Sequence, residues 1–242
     1  MTGIILAAGY ATRLYPLTEN FPKPLLEVGG ETILDRLIAG LLPEVHTFTV
    51  VTNHRFAEHF RQWSRRYDGS AARMTVLDDG TSSNETRLGA ARDIQVALER
   101  LPAGEDVLVM AGDNVLDFPL RLFASWAAAG GTSCVMCHEE NRLEALRKTA
   151  VITAEADGRI TSYEEKPAEP KGNLAVPPFY YYRAADAARI GEALADGCSA
   201  DAPGSFAAWL SGHTEMRAWR MPGRRYDIGD LRSYEEVRRI FA

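Results

Sequence analysis

Three charged side chains in this sequence sit where their neighbours suit them to phosphate or to a hard cation: Arg13, Lys23 and Asp113. Arg13 follows the run Leu6-Ala7-Ala8-Gly9-Tyr10-Ala11-Thr12. Its guanidinium can fork onto two phosphate oxygens. Ala7, Ala8 and Gly9 carry almost no side-chain bulk, so their backbone N–H groups can approach an anion closely. Lys23 stands between Pro22 and Pro24, which are expected to hold its backbone extended. Asp113 lies in Gly112-Asp113-Asn114 at the end of an apolar run. Magnesium takes such hard oxygen ligands, usually one or two protein carboxylates plus substrate phosphates. Two further segments, Glu164-Glu165-Lys166-Pro167 and Tyr226-Asp227-Ile228-Gly229, read alone as a solvated charge cluster and as a strand end with a turn. Each of the first three also has an ordinary reading: a tight turn, a surface cation, a turn or helix-cap aspartate.

The elements that must position these residues follow from hydrophobic periodicity. Residues 3–8, 47–52, 74–77 and 107–110 read as buried strands. Residues 33–41, 56–67 and 88–101 read as helices, the first with Thr32 as N-cap and Asp35 closing a capping box. Asp117 is expected to cap a further helix with Pro119 in its first turn. Repeated β-α-β units of this length imply right-handed crossovers and a mostly parallel sheet covered on both faces. In such a sheet, ligands bind beyond the carboxyl ends of the strands, where Ala7–Gly9 and Asp113 fall. From about residue 145 the character changes. Residues 150–154 and 160–164 flank Asp157-Gly158, a strong hairpin signal. An aromatic strand is expected at 179–182 and helices at 184–194 and 235–241. The expectation is an α/β chain of three layers, Rossmann-like, with antiparallel additions, in one domain over 1–242.

Composition narrows the function. With 46% hydrophobic residues among 242, the chain can fill a core. A formal net charge of −6 argues against a nucleic-acid or anionic-membrane surface, which needs a basic face. Three cysteines suggest no disulfide framework. Cys134 and Cys137 form a C-x-x-C within a strand read at 132–138, where they face opposite sides and cannot converge on one metal. They read as small core residues. No run approaches the roughly 20 apolar residues of a membrane span, and the start lacks a basic leader region, so a cytoplasmic location is expected.

Taken together, Leu-Ala-Ala-Gly-x-x-Thr-Arg-Leu at 6–14, Pro-Leu-Thr at 16–18 and Pro-Lys-Pro-Leu-Leu at 22–26 resemble, in order and spacing, the signature of the sugar-1-phosphate nucleotidyltransferase family. That family includes glucose-1-phosphate thymidylyltransferases and, more distantly, phosphocholine cytidylyltransferases. The resemblance implies a nucleotidyltransferase fold and transfer of a nucleoside monophosphate from a nucleoside triphosphate to a sugar 1-phosphate, with release of pyrophosphate. It implies that Leu6, Ala7, Ala8 and Gly9 meet the nucleotide and that Asp113 and Asp227 together hold Mg²⁺. By the same resemblance Glu165 contacts a sugar hydroxyl, Lys166 the acceptor phosphate, and Asn173 the substrate. Asn84 and Gly89 match the stretch that reads the base. Asn84 stands where thymidylyltransferases have a longer glutamine, and it reads equally well as an Asx-turn residue. Arg87 is left between a phosphate and solvent. Ala11 replaces a glycine, which is mild at negative φ and costly at positive φ. Asp230 replaces a threonine, and Ala175 leads into Val176-Pro177-Pro178 where the family continues with glycine.

The implied reaction is an in-line attack by an acceptor phosphate oxygen on the α-phosphorus. It needs positioning and charge neutralisation more than a base, because the nucleophile is already anionic. Arg13, Lys23 and Lys166 would supply that charge. The five histidines share no motif. Two other readings stand beside this one: a cytidylyltransferase acting on phosphocholine or another non-sugar phosphate or phosphonate, and a non-catalytic regulatory protein that binds sugar nucleotides. The oligomeric state, including a homo-oligomer, is left open.

Overall fold

A computed structural model describes residues 1–242, which divide into two compact bodies. The first comprises Thr2–Leu88, Ala111–Leu122 and Pro222–Ala242; the second comprises Met1, Gly89–Met110 and Phe123–Met221. No helix is long and apolar enough to cross a membrane.

In the first body the strands Thr2–Leu6, Thr47–Thr52 and Arg73–Asp78 run parallel, with Thr2 opposite Thr47 and Thr47 opposite Arg73. Ile4, Ile5, Phe48, Val50 and Val51 are fully buried, as expected of near-continuous apolar runs covered on both faces. The helices Ile33–Ala39 and Ala57–Ser64 accompany these strands. Thr32 caps the first of them, its hydroxyl accepting from the Asp35 N–H at 3.0 Å. Asp35, expected to close a capping box, puts its carboxylate to another use. It accepts from the Thr32 hydroxyl (2.7 Å), Trp63 Nε1 (2.9 Å), the Tyr67 hydroxyl (2.7 Å) and Arg66 (3.2 Å). One carboxylate thus ties the start of one helix to the end of the next and to the 3₁₀ turn Arg65–Tyr67.

After the first strand the chain is pinned by Asn53, which is fully buried. Its amide donates to the Ala8 carbonyl at 2.9 Å and its oxygen accepts from the Phe56 N–H at 3.0 Å. Ala11 then takes the left-handed conformation, φ 46 and ψ 41. Its carbonyl accepts from the Leu14 N–H at 2.9 Å and the Thr18 hydroxyl at 2.8 Å. The added methyl is therefore on the costly side of the expectation stated above.

In the second body the strands lie in the order Ile160–Glu165, Ala150–Ala154, Leu174–Val176, Ser133–Glu139, Phe179–Tyr182, Val107–Ala111, with neighbours antiparallel throughout. Met216–Arg220 pairs in parallel with Ser133–Glu139. The Asp157-Gly158 hairpin forms as expected, with the Asp157 carboxylate accepting from the Arg159 N–H at 3.0 Å. Cys134 and Cys137 are buried on one strand, and burial pushes the Cys137 thiol up to about 11. Parallel strands in the first body and antiparallel ones in the second make up an α/β fold of the expected class.

Several elements differ from expectation. The helix after Pro119 begins at Arg121 and runs to Gly130. Asp117 does not cap it. Its carboxylate instead accepts from the Arg224 N–H at 2.6 Å and its own N–H donates to the Arg224 carbonyl at 3.2 Å. The helix expected at 184–194 is two, Ala184–Ala187 and Ile190–Ala195. The last helix starts earlier, Leu231–Ile240. The helix Gly204–Ser211 and the short strand Asn114–Leu116 had no sequence signal, and the strand end read at Tyr226-Asp227 is the short strand Arg225–Asp227.

Two stability predictions follow from the first body. Asp35→Ala strands the Trp63 and Tyr67 donors, and each buried orphan costs about 1–3 kcal/mol. Chemical denaturation should show a loss of about 2–4 kcal/mol, with Asp35→Asn losing less because it keeps an acceptor. Ala11→Gly removes a left-handed penalty of about 1–2 kcal/mol against a glycine entropy cost of about 0.5–1 kcal/mol. A small rise in melting temperature is expected; a fall would show that the alanine methyl packs favourably.

Candidate active site

The first body gathers the charged candidates on one hydrophobic cluster. Leu14, Leu26, Val28, Ile33, Val115, Ile228, Tyr234 and Val237 pack together. Leu14 follows Arg13, Leu26 lies three residues after Lys23, Val115 two after Asp113, and Ile228 follows Asp227. Burying these apolar neighbours is what brings four remote segments of chain to one place.

The short ladder finishes the job. Asn114–Leu116 pairs antiparallel with Arg225–Asp227, and Asp227 lies opposite Asn114. The two aspartates are thus one residue apart across the ladder. Their side chains are 36% exposed at Asp113 and 56% at Asp227, so both can reach a ligand. Asp113 is held at both oxygens. Oδ2 accepts from Lys23 Nζ at 2.8 Å, and Oδ1 from the Asn114 side-chain amide at 2.8 Å. Asn114 is in turn held by Arg225, whose guanidinium donates to the Asn114 oxygen at 2.6 Å and lies 3.7 Å from Asp227. Sequence reasoning missed Asn114 and Arg225 as parts of this arrangement. Their only signals were adjacency to Asp113 and membership of a basic stretch.

Gly112 permits the close approach. A Cβ there would lie 3.1 Å from Ile5 Cγ2, 3.3 Å from Pro24 Cγ and 3.4 Å from the Leu6 carbonyl oxygen. The Gly112 N–H donates to that same Leu6 oxygen at 3.0 Å. The end of the first strand, the Lys23-Pro24 turn and the Asp113 segment therefore meet so closely that a side chain would need its neighbours to give by a few tenths of an ångström. Lys23 is buried, 7% exposed. Its backbone is not extended as expected. Pro22 is extended at φ −73 and ψ 133, and Lys23 then opens the 3₁₀ turn Lys23–Leu25.

Around this centre, Ala7 and Ala8 are buried, Leu6 is half-buried, and Gly9 is exposed. Arg13 is exposed in the 3₁₀ turn Thr12–Leu14 and close enough to lower the pKa of Asp230. The main cause of that lowering is the Ser233 N–H, because Asp230 is the N-cap of the last helix in a capping box with Ser233. A cap, and not a metal contact, is what the structure shows for this carboxylate. Asn84 is exposed and accepts from Arg87 at 3.1 Å, within the turn where the Thr86 N–H donates to the Ser83 carbonyl.

The second body carries the other candidates. Gly89 has φ 92 and caps the helix Ala90–Leu98; a Cβ there would run into the Ala200 backbone. Glu165 ends the strand Ile160–Glu165, and Lys166 follows, exposed, with φ 47. Such a conformation in a non-glycine residue costs of the order of 1–2 kcal/mol and marks a place worth explaining. Thr149 ties it down. The Thr149 carbonyl accepts from the Lys166 N–H at 3.2 Å, and its hydroxyl donates to the Val176 carbonyl at 3.0 Å. The Glu-Lys-Pro segment and the departing Val176-Pro177 segment are thereby joined through one residue. Asn173 is exposed just before the strand Leu174–Val176, its carbonyl accepting from the Glu140 N–H at 2.8 Å.

Glu165 is not a solvated charge. Its Oε2 is buried without a hydrogen-bond partner, and Gly204 faces it closely enough that a Cβ would collide with it. Burial raises its pKa, with the Lys166 ammonium pulling the other way. Glu164, by contrast, pairs with Lys171 at 2.8 Å. A carboxyl raised by folding stabilises the fold below its unfolded pKa of about 4.3 and loses that contribution as pH rises through its folded pKa. Glu165→Gln should therefore raise the melting temperature at neutral pH, and the gain should vanish below about pH 4. A gain independent of pH would refute the buried-charge account.

Comparison with known proteins identifies the family. The chain is 27% identical over 256 residues to the glucose-1-phosphate adenylyltransferase of Thermotoga neapolitana, covering 98% of this chain and 59% of that protein. It is 31% identical over 189 residues to the glucose-1-phosphate thymidylyltransferase of Mycolicibacterium smegmatis, covering 75% of this chain and 61% of that protein. The chain thus spans less than two thirds of the length of these curated relatives. A Bacillus anthracis structure, provisionally assigned as a glucose-1-phosphate thymidylyltransferase and solved with sucrose, superposes with a TM-score of 0.81 at 21% identity, covering 100% of this chain and 95% of that one. At that identity it speaks for the fold. The family model described as nucleotidyl transferase matches residues 2–241, so the chain belongs to the nucleotidyl transferase family.

Proposed function

We propose that this chain transfers a nucleoside monophosphate from a nucleoside triphosphate to a sugar 1-phosphate, giving a nucleoside-diphosphate sugar and pyrophosphate. The observation that carries the reading is the buried pair of Lys23 and Asp113 beside the end of the first strand, with Asp227 one residue along on the facing strand of the short ladder. A surface without such chemistry has no cause to bury a lysine against a carboxylate beside a second carboxylate. The adenylyl- and thymidylyltransferase relatives act on glucose 1-phosphate by name, which supports a sugar phosphate as acceptor. In this reading the chain is a single domain over 1–242.

The residues fit a divalent metal. Asp113 already holds a cation, the Lys23 ammonium, at 2.8 Å. Two partly exposed carboxylates are the usual protein share of a Mg²⁺ site, the rest coming from phosphates and water. Asp113 and Asp227 would hold the ion, and it would supply charge neutralisation among the phosphates. Arg13 and the backbone N–H groups of Ala8 and Gly9 bind the triphosphate; the Ala7 N–H, expected to join them, donates to the Val51 carbonyl at 2.8 Å. Lys23 bears on the phosphates near the reacting centre. Asn84 and Gly89 lie with the base. In the second body, Lys166 holds the acceptor phosphate and offsets its repulsion from the nucleotide. Glu165, an acceptor left without a donor, takes a hydroxyl of the substrate. Asn173 adds a contact beside it.

The test is pyrophosphate release from each nucleoside triphosphate with Mg²⁺ and a panel of acceptors that includes hexose 1-phosphates and phosphocholine. Turnover with a hexose 1-phosphate is expected. Turnover with phosphocholine alone would replace the acceptor, and nucleotide binding without turnover would replace the enzyme by a sensor. Asp113→Ala and Lys166→Ala should each lower kcat/KM by about 10²-fold or more, and unaffected turnover in either would sink the assignment.

A further inference from the structure

A cation already sits on Asp113, and it belongs to the protein. Lys23 Nζ occupies Oδ2 at 2.8 Å, and the Asn114 amide occupies Oδ1 at 2.8 Å. These two partners differ in kind. Asn114 is 1% exposed, its backbone is fixed in the ladder opposite Asp227, and its oxygen is clamped by Arg225 at 2.6 Å. It cannot turn away without breaking that clamp. Lys23 is fixed only at its backbone, in a turn bounded by prolines, and its ammonium rides on a flexible four-carbon stem. A buried ammonium keeps its charge only beside a counter-charge. Asp113 is the counter-charge that this structure provides.

We propose that Lys23 is an internal occupant of Asp113 Oδ2, released to the nucleotide's phosphates when these arrive, so that metal binding at Asp113 is tied to nucleotide binding. The inference rests on the reading above, in which Asp113 is a metal ligand. It adds a sequence of events to it. A divalent cation arriving alone must displace the ammonium from Oδ2 and leave it buried without a partner, which is unfavourable. A polyphosphate gives Lys23 a second anion to hold and frees Oδ2 at the same time. The fixed Asn114–Arg225 arm keeps the carboxylate in place throughout the exchange. Nucleotide and metal thus assist each other through one lysine, as reciprocal linkage requires.

The test uses Mn²⁺ as probe, with binding measured by calorimetry or by electron paramagnetic resonance. Wild type should bind free Mn²⁺ weakly and bind it much more tightly with a non-hydrolysable nucleoside triphosphate present. Lys23→Met, and Lys23→Gln as a second neutral variant, should bind free Mn²⁺ about tenfold or more tightly than wild type and respond less to nucleotide. Lys23→Arg, which keeps the cation, should resemble wild type. Free Mn²⁺ affinity unchanged in both neutral variants would overturn the exchange while leaving Asp113 as a metal ligand. Adding Asp113→Asn to Lys23→Met should abolish the gain. A gain that survives would show that the metal does not sit on Asp113, and both the exchange and the metal reading would fall.

Discussion

The first body is organised around one close approach, at Gly112. Three segments of chain meet there so closely that a Cβ would press on its neighbours: the end of the first strand, the Lys23-Pro24 turn and the loop that carries Asp113. The hydrophobic cluster behind them holds the approach together, because every charged candidate of this body has an apolar neighbour buried in it. This arrangement solves a physical problem. Lysine and two aspartates resist burial singly. They tolerate proximity when each is half-neutralised by another and when apolar burial close by offsets the cost. The charges are thus held by a core that does not itself touch them.

What was legible in the sequence divides along the same line. The parallel strands were legible because Ile4, Ile5, Val50 and Val51 belong to continuous apolar runs, a local property. The hairpin at Asp157-Gly158 and the strand Phe179–Tyr182 were legible for the same reason. Lys23 and Asp113 were legible as chemistry through their flanking residues, though not as a pair, since 90 positions separate them. The ladder between Asn114–Leu116 and Arg225–Asp227 was invisible. Its strands have three residues each, too few to show a period, and its reason for existing lies across the chain. Asp117 was misread by the same mechanism. Before a proline it has the look of a helix cap, yet its partner is Arg224, 107 positions away, and it serves to close that ladder. Arg225 carried no signal of its own within Arg220–Arg225, because a guanidinium that orients a buried amide is indistinguishable in sequence from one in solvent.

The two bodies store their costs differently, and the difference bears on what each does. The first places its strained residue, Ala11, in the loop after the first strand and satisfies its carbonyl twice over, from Leu14 and Thr18. The strain there is a fixed expense of shaping that loop. The second body concentrates its costs at Glu165 and Lys166, a buried oxygen with no donor followed by a left-handed lysine. Within that body Thr149 holds the Lys166 backbone and the Lys166 ammonium partly offsets the Glu165 charge, but no donor reaches Glu165 Oε2. A carboxylate oxygen kept from water without a partner persists when a ligand hydroxyl supplies the donor, and a lysine held in a strained backbone persists when its ammonium must point at a fixed anion. The first body therefore keeps its buried charge paired, with Lys23 standing on Asp113. The second leaves Glu165 Oε2 buried without a donor, and in the proposed reading a substrate lacking the matching hydroxyl would leave Glu165 as costly as it was.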